Sequence, residues 1–191
     1  MLKSSNINPC FIILWSILCL ASCGKAGPGD VVLTGAFGFS FGDQPEGLGG
    51  TFLSELKSIE AGTPPSPDSR FEKYFYTVTP GSHRIYQISA VTGAGLNKTA
   101  CDTRLDDLAN ELTQKYYTKG EAIINDADDK WVLQRNTKRS VSLECTKAPL
   151  QPGAGDAELY RLTLGYLDYN LAAEAYKEWK KSRTTGKPDK Y

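Results

Sequence analysis

A chain of this size does chemistry through a nucleophile beside a base, a pair of carboxylates, or a set of metal ligands. The 191 residues contain one histidine, His83. Serines are plentiful, but no G-x-S-x-G elbow occurs. His83 adjoins Thr79-Pro80-Gly81-Ser82, where Pro-Gly at the centre predicts a type II turn. That position predicts an exposed loop histidine rather than a base. Carboxylates for glycosidase-type hydrolysis exist at Asp106, Asp107, Asp126, Asp128, Asp129 and Asp168, and their neighbours single out none of them. The stretch Asn125 to Asp129 faintly resembles a calcium loop. Counting from Asp126, however, Trp131 and Thr137 stand where that loop needs glycine and glutamate. Gly35, Gly38 and Gly42 lack the spacing of a phosphate loop and read as a glycine-marked strand. Asn97-Lys98-Thr99 matches a glycosylation acceptor pattern, a surface modification signal and not a source of chemistry. No residue earns a catalytic, cofactor-binding or metal-binding assignment on these grounds.

The sharper signal lies near the amino terminus. Lys3 precedes an uncharged apolar run from Phe11 to Leu20, which ends in Leu20-Ala21-Ser22-Cys23. An apolar run of roughly 7–15 residues after a positive start has the form of a signal peptide. It falls short of the roughly 20 residues of a spanning helix. With small Ala21 and Ser22 ahead of Cys23, the tetrapeptide resembles a bacterial lipobox. The resemblance implies cleavage before Cys23 and lipid on that cysteine. It divides the chain into a signal peptide over 1–22, a tether over 23–30, one domain over 31–183 and a tail over 184–191. Gly24 follows the cysteine where aspartate tends to mark inner-membrane retention, so the resemblance implies the outer membrane, facing the periplasm. The tether Gly24 to Asp30 is rich in glycine and holds a proline, which suits a flexible linker.

On this reading Cys10 and Cys19 leave with the signal, and Cys23 carries lipid. Cys101 and Cys145 remain in an oxidising compartment, where they are expected to pair, the alternative being two buried free thiols. One histidine and two thiols do not complete a zinc site.

Basic and acidic side chains number 22 each, so no charge imbalance points to nucleic acid. Ten tyrosines suit core packing or an interface. The expected role is an envelope module that binds a partner protein and is held to the membrane through Cys23. The alternatives are small-ligand or glycan binding and, further off, a carboxylate-based hydrolase. No cofactor is implied.

Period-two patterning predicts strands over Phe71–Thr79 and Arg84–Thr92 as a hairpin. Further strands are expected at Trp131–Gln134, Ser140–Thr146 and Leu159–Leu167. Phe37, Phe39 and Phe41 alternate as on a half-buried strand. Helical spacing predicts a short helix near Thr51–Ser58, an amphipathic helix over Asp102–Tyr117 with Thr103 and Asp106 as a capping box, and a last helix over Leu171–Ser182 capped by Asn170. Its apolar side is expected to hold Ala172, Ala175, Tyr176 and Trp179. In Val141, Leu143 and Cys145 the alternation turns Cys145 toward the core. Together these elements predict an α+β fold: a largely antiparallel sheet with helices packed on one face. The layout vaguely resembles small envelope modules with helix-on-sheet folds, which implies no site residues.

Overall fold

The computed structural model describes residues 32–48, 52–53, 55–117, 122–125, 130–135, 138–149 and 158–184. Cys23 with its lipobox, the tether and residues 185–191 lie outside the described residues, as do the acidic positions 126–129 and the turn at 136–137. The fold is α+β. Nine strands are described: β1 Gly35–Ala36, β2 Phe39–Ser40, β3 Ser58–Ala61, β4 Lys73–Val78, β5 Ile85–Val91, β6 Ala122–Asn125, β7 Lys130–Arg135, β8 Arg139–Lys147 and β9 Tyr160–Asp168. Two helices, α1 Lys98–Tyr116 and α2 Tyr169–Thr184, complete it. Strands β3 to β9 form one antiparallel sheet of seven in the order β3-β4-β5-β9-β8-β7-β6.

Strand β9 sits at the centre, paired with β5 on one side and β8 on the other. Its residues alternate without a break between buried and half-buried. Tyr160, Leu162, Leu164 and Tyr166 face the core, joined across the register by Ala90, Ile88, Val141, Leu143 and Cys145. Helix α1 covers this face with Cys101, Leu105, Leu108, Leu112 and Tyr116. The apolar spacing at three and four residues makes that stripe continuous.

The helix starts earlier than its capping-box pattern predicts. Asn97 is the cap, its side chain accepting from Ala100 N at 2.8 Å. Thr103 instead donates back to Thr99 O at 3.0 Å. The acceptor-like triplet Asn97-Lys98-Thr99 thus works here as a helix start. Cys101 falls inside the first turns and is disulfide-bonded to Cys145 on β8, with Cα atoms 6.0 Å apart.

The hairpin β4–β5 forms where expected, but its turn is of another kind. Gly81 does not take the positive φ that a type II turn requires; His83 does, at φ 52. Thr79 N donates to Arg84 O at 2.9 Å, and His83 N donates to Thr79 O at 3.0 Å, so residues 80–83 make one helical turn ended by His83. That histidine is buried at 7 % exposure, with its Nε2 shielded from solvent and unpartnered. The expected exposed histidine is therefore corrected. The cause is long-range, because α2 reaches the turn. Glu178 accepts from Gly81 N at 2.7 Å and from Ser82 Oγ at 2.8 Å. Glu174 pairs with Arg84.

Two other expectations change. No helix occurs among the described residues near 51–58; Ser58–Ala61 instead pairs with β4 as an edge strand. The glycines ahead of it disfavour a helix nucleus, and the ladder to β4 supplies hydrogen bonds. The phenylalanine stretch is a tight hairpin rather than one strand. Phe37 and Gly38 form its turn at φ 55 and φ 83. A left-handed phenylalanine is strained, and the ring is held by edge contacts to Phe71, Tyr74 and Tyr166. A Cβ at Gly38 would meet Pro65 at 2.6 Å, so glycine is required there.

Asp168, not Asn170, caps α2: one carboxylate oxygen accepts from Asn170 N and Leu171 N, both at 3.1 Å. The other accepts from Arg139 Nε at 2.8 Å. Arg139 also donates to Leu33 O and lies over the Phe41 ring. Helix α2 rests on β5 and β9 mainly through fully buried Ala175, while Tyr176, expected inward, is exposed.

The cysteines are 44 residues apart in sequence, so their link removes loop entropy worth roughly 4 kcal/mol in the chain-entropy account. Replacing both by alanine is expected to lower unfolding free energy by about 2–4 kcal/mol in urea melts. Peptide mapping without reductant should return residues 101 and 145 linked, and free thiols at both would contradict the bond.

Candidate functional site: a cleft on the second face of the sheet

The sheet's other face is built from the alternate residues of the same strands. On β9 these are Arg161, Thr163, Gly165 and Leu167, all half-buried. Across the register, Val91 opposes Thr163, and Lys73 opposes Val91. The pairing runs on past the strand ends, because Thr92 N donates to Leu162 O at 3.0 Å. Beyond it the ladder is interrupted, because Leu162 N donates to the Thr92 side chain and the next bridge is Leu96 to Tyr160. Residues 93–95 thus stand against Arg161 as a bulge, which leaves an opening beside the pairing.

A cleft of about 530 Å³ occupies that opening, lined by residues that include Glu72, Lys73, Phe75, Val91, Gly93 and Arg161. Its size lies within the range of small-molecule sites. Arg161 Nε is buried and has no hydrogen-bond partner. Leaving a buried guanidinium N–H unmatched costs about 1–3 kcal/mol. Two other polar groups of the lining are engaged. Thr92 Oγ1 accepts from Leu162 N at 3.0 Å, and Lys73 Nζ stands 3.3 Å from Glu60. Glu72 Oε2 lies 2.6 Å from where a Cβ on Gly93 would be, so any side chain there would displace that carboxylate. Phe75 and Val91, half-buried, supply an apolar floor.

A smaller hollow of about 270 Å³ lies between the β1–β2 hairpin, the 66–70 loop and α1. A closed ion network borders it. Arg70 donates to Asp68 Oδ2 and to Glu111 Oε2, each at 2.6 Å. The side-chain hydrogen bond from Arg70 holds the Asp68 carboxyl below the ordinary aspartate range, with partial burial opposing it. Arg70 itself is pushed up, first by Asp68 and then by Glu111. Tyr74 OH donates to Asp68 O at 2.7 Å and accepts from Asp68 N at 2.9 Å. Burial raises the Tyr166 hydroxyl far above the usual tyrosine range. With these groups bonded to one another, the hollow reads as a clasp between loop and helix.

Among the described residues, those that drew chemical interest in the sequence are not brought together; Asp126, Asp128 and Asp129 lie outside them. Asp106 and Asp107 are exposed on α1, Asp168 is spent on its cap, and His83 closes a turn. Among the described residues no group of three or more His, Cys, Asp or Glu side chains could hold a metal ion. Sequence reasoning passed over Arg161 and Gly93. Their only signal was a lone arginine on the outward side of a strand whose one other charge is Asp168. A scan against protein-family models finds no match to the chain, and searches of curated proteins and of solved structures return none.

The lowered Asp68 pKa has a pH consequence. A carboxyl whose folded pKa lies below its unfolded value stabilises the fold fully above the unfolded value. That contribution fades as pH falls through the folded one. Both partners are partly exposed, so the pair is worth about 1 kcal/mol or less. Asp68→Asn should flatten the acid side of the stability–pH curve and leave its neutral-to-alkaline slope alone, as read by urea midpoints across pH. An unchanged acid slope would count against the clasp.

Proposed function

We propose that this chain is a bacterial envelope lipoprotein. Acyl chains on Cys23 hold it at the outer membrane, and its α+β domain binds an envelope partner protein. The observation that carries the reading is Leu20-Ala21-Ser22-Cys23 at the end of an uncharged apolar run. Three glycines and a proline stand between Cys23 and Leu33, a composition that suits a tether. Several acyl chains, at about 0.8 kcal/mol per buried methylene, would bind a bilayer firmly. The binding reading is supported by a sheet face whose half-buried positions include Phe75, Val91 and Val132. Ion pairs and caps already engage Asp68, Glu111, Asp168, Glu174 and Glu178. A second reading, small-ligand binding, is favoured by the Arg161 cleft.

The anchor is tested by palmitate labelling of the full chain expressed in bacteria. The parent should incorporate label, and Cys23→Ala should lose it entirely; label retained by the variant would overturn the lipoprotein reading. For the partner, a pull-down of the lipidated chain from envelope extract should return one protein in stoichiometric amount. Return of background alone would count against partner binding and leave the ligand reading.

A further inference from the structure

We infer that the outer flank of α2 docks on the surface of an anionic phospholipid bilayer, with its aromatic rings at the level of the headgroups. The choice of a bilayer as occupant rests on the lipid-anchor reading; the character of the flank does not. Tyr169, Tyr176 and Arg183 recur every seven residues, so they share one side of the helix, about a quarter turn from buried Ala175. Tyr176 is 54 % exposed and Tyr169 37 %. The Tyr176 and Trp179 rings lie 5.7 Å apart, and the Arg183 guanidinium stands 4.7 Å over the Trp179 ring. Rings with one polar edge beside long cationic side chains are the pairing that suits a membrane–water interface.

Charge on α2 is sorted by side. Its two acidic residues turn onto the body, Glu174 to Arg84 and Glu178 to the turn at Gly81 and Ser82. Its basic residues Lys177, Lys180, Lys181 and Arg183 are all exposed. The outer side of the helix end therefore presents cations with no carboxylate of α2 among them, and its complement is an anionic surface.

The geometry of attachment brings that surface within reach. One arginine, Arg139, bonds both Leu33 O and Asp168, whose carboxylate caps the start of α2. The helix thus begins beside Leu33 and runs about 24 Å from there. Fully extended, the chain from Cys23 to Leu33 spans at most about 36 Å. With acyl chains on Cys23, the bilayer is held close enough for the whole of α2 to lie along it.

The test uses the full lipidated chain and two kinds of vesicle, phosphatidylcholine alone and phosphatidylcholine with about one third phosphatidylglycerol. Flotation reports attachment. Quenching of tryptophan fluorescence by brominated acyl chains reports contact, and Trp179→Phe assigns the part that belongs to Trp179, since Trp131 is buried. The expected result is flotation with both vesicles and Trp179 quenching at least about threefold greater with the anionic lipid. Lys177→Gln, Lys180→Gln and Arg183→Gln together should bring it down to the zwitterionic level, as should molar salt on the unaltered chain, which decides if the triple variant does not fold. Flotation with equal Trp179 quenching in both vesicles, or with none, would overturn the docking and leave the anchor standing. Absence of flotation with phosphatidylcholine would count against the anchor, and the Trp179 response to anionic vesicles would still decide the docking. A blind Trp179 together with loss of a pulled-down protein in the triple variant would make the flank a protein site instead and overturn the inference.

Discussion

The sheet exists as one object because β9 bonds to both of its halves. On one side lies the meander β3-β4-β5, on the other β6-β7-β8, and neither half pairs with the other. The nine residues of β9 pair along their whole length with β8, and five of them pair with β5. Both faces of the molecule follow from this strand. Its inward residues Leu162, Leu164 and Tyr166 are the middle of the core that α1 covers. Its outward residue Arg161 defines the cleft. The strict alternation of β9 therefore sets core and candidate site at once, since a shift by one residue would exchange them.

Much of this was legible where a pattern is local. The stripe of Leu105, Leu108 and Leu112 announced α1, and alternation around Pro80-Gly81 announced the β4–β5 hairpin. The inward aim of Cys145 followed from Val141 and Leu143. What escaped depends on partners distant in sequence. His83 takes the left-handed position because residues 80–83 close on a carboxylate nearly a hundred positions away, a contact no local pattern carries. Residues 58–61 become a strand because β4 offers an edge. Asp168 outcompetes Asn170 as a cap because Arg139, on the neighbouring strand, orients it. Arg161 was invisible for a related reason: an outward arginine looks like any solvated charge until the fold sets it at the wall of a cleft.

The charged side chains divide along the same line. Around Asp68, Arg70 and Glu111, and again around Arg84, Glu174 and Glu178, carboxylates tie loops to helices. Exposed pairs of this kind add little stability singly, about 0–1 kcal/mol, but they fix where each segment sits.

The bond from Arg139 to the carbonyl of Leu33 has a mechanical side. Leu33 is among the first described residues, and it is fully packed. A pull on the chain ahead of it does not peel away a loose end. The force enters at Leu33 and passes through Arg139 to β8 and through Asp168 to the end of β9. It is thus delivered to two adjacent central strands that share nine paired residues. Strands loaded together resist as a block, whereas an edge strand such as β3 would unzip one bond at a time. Tension entering at Leu33 would thus be shared by the longest ladder of the sheet.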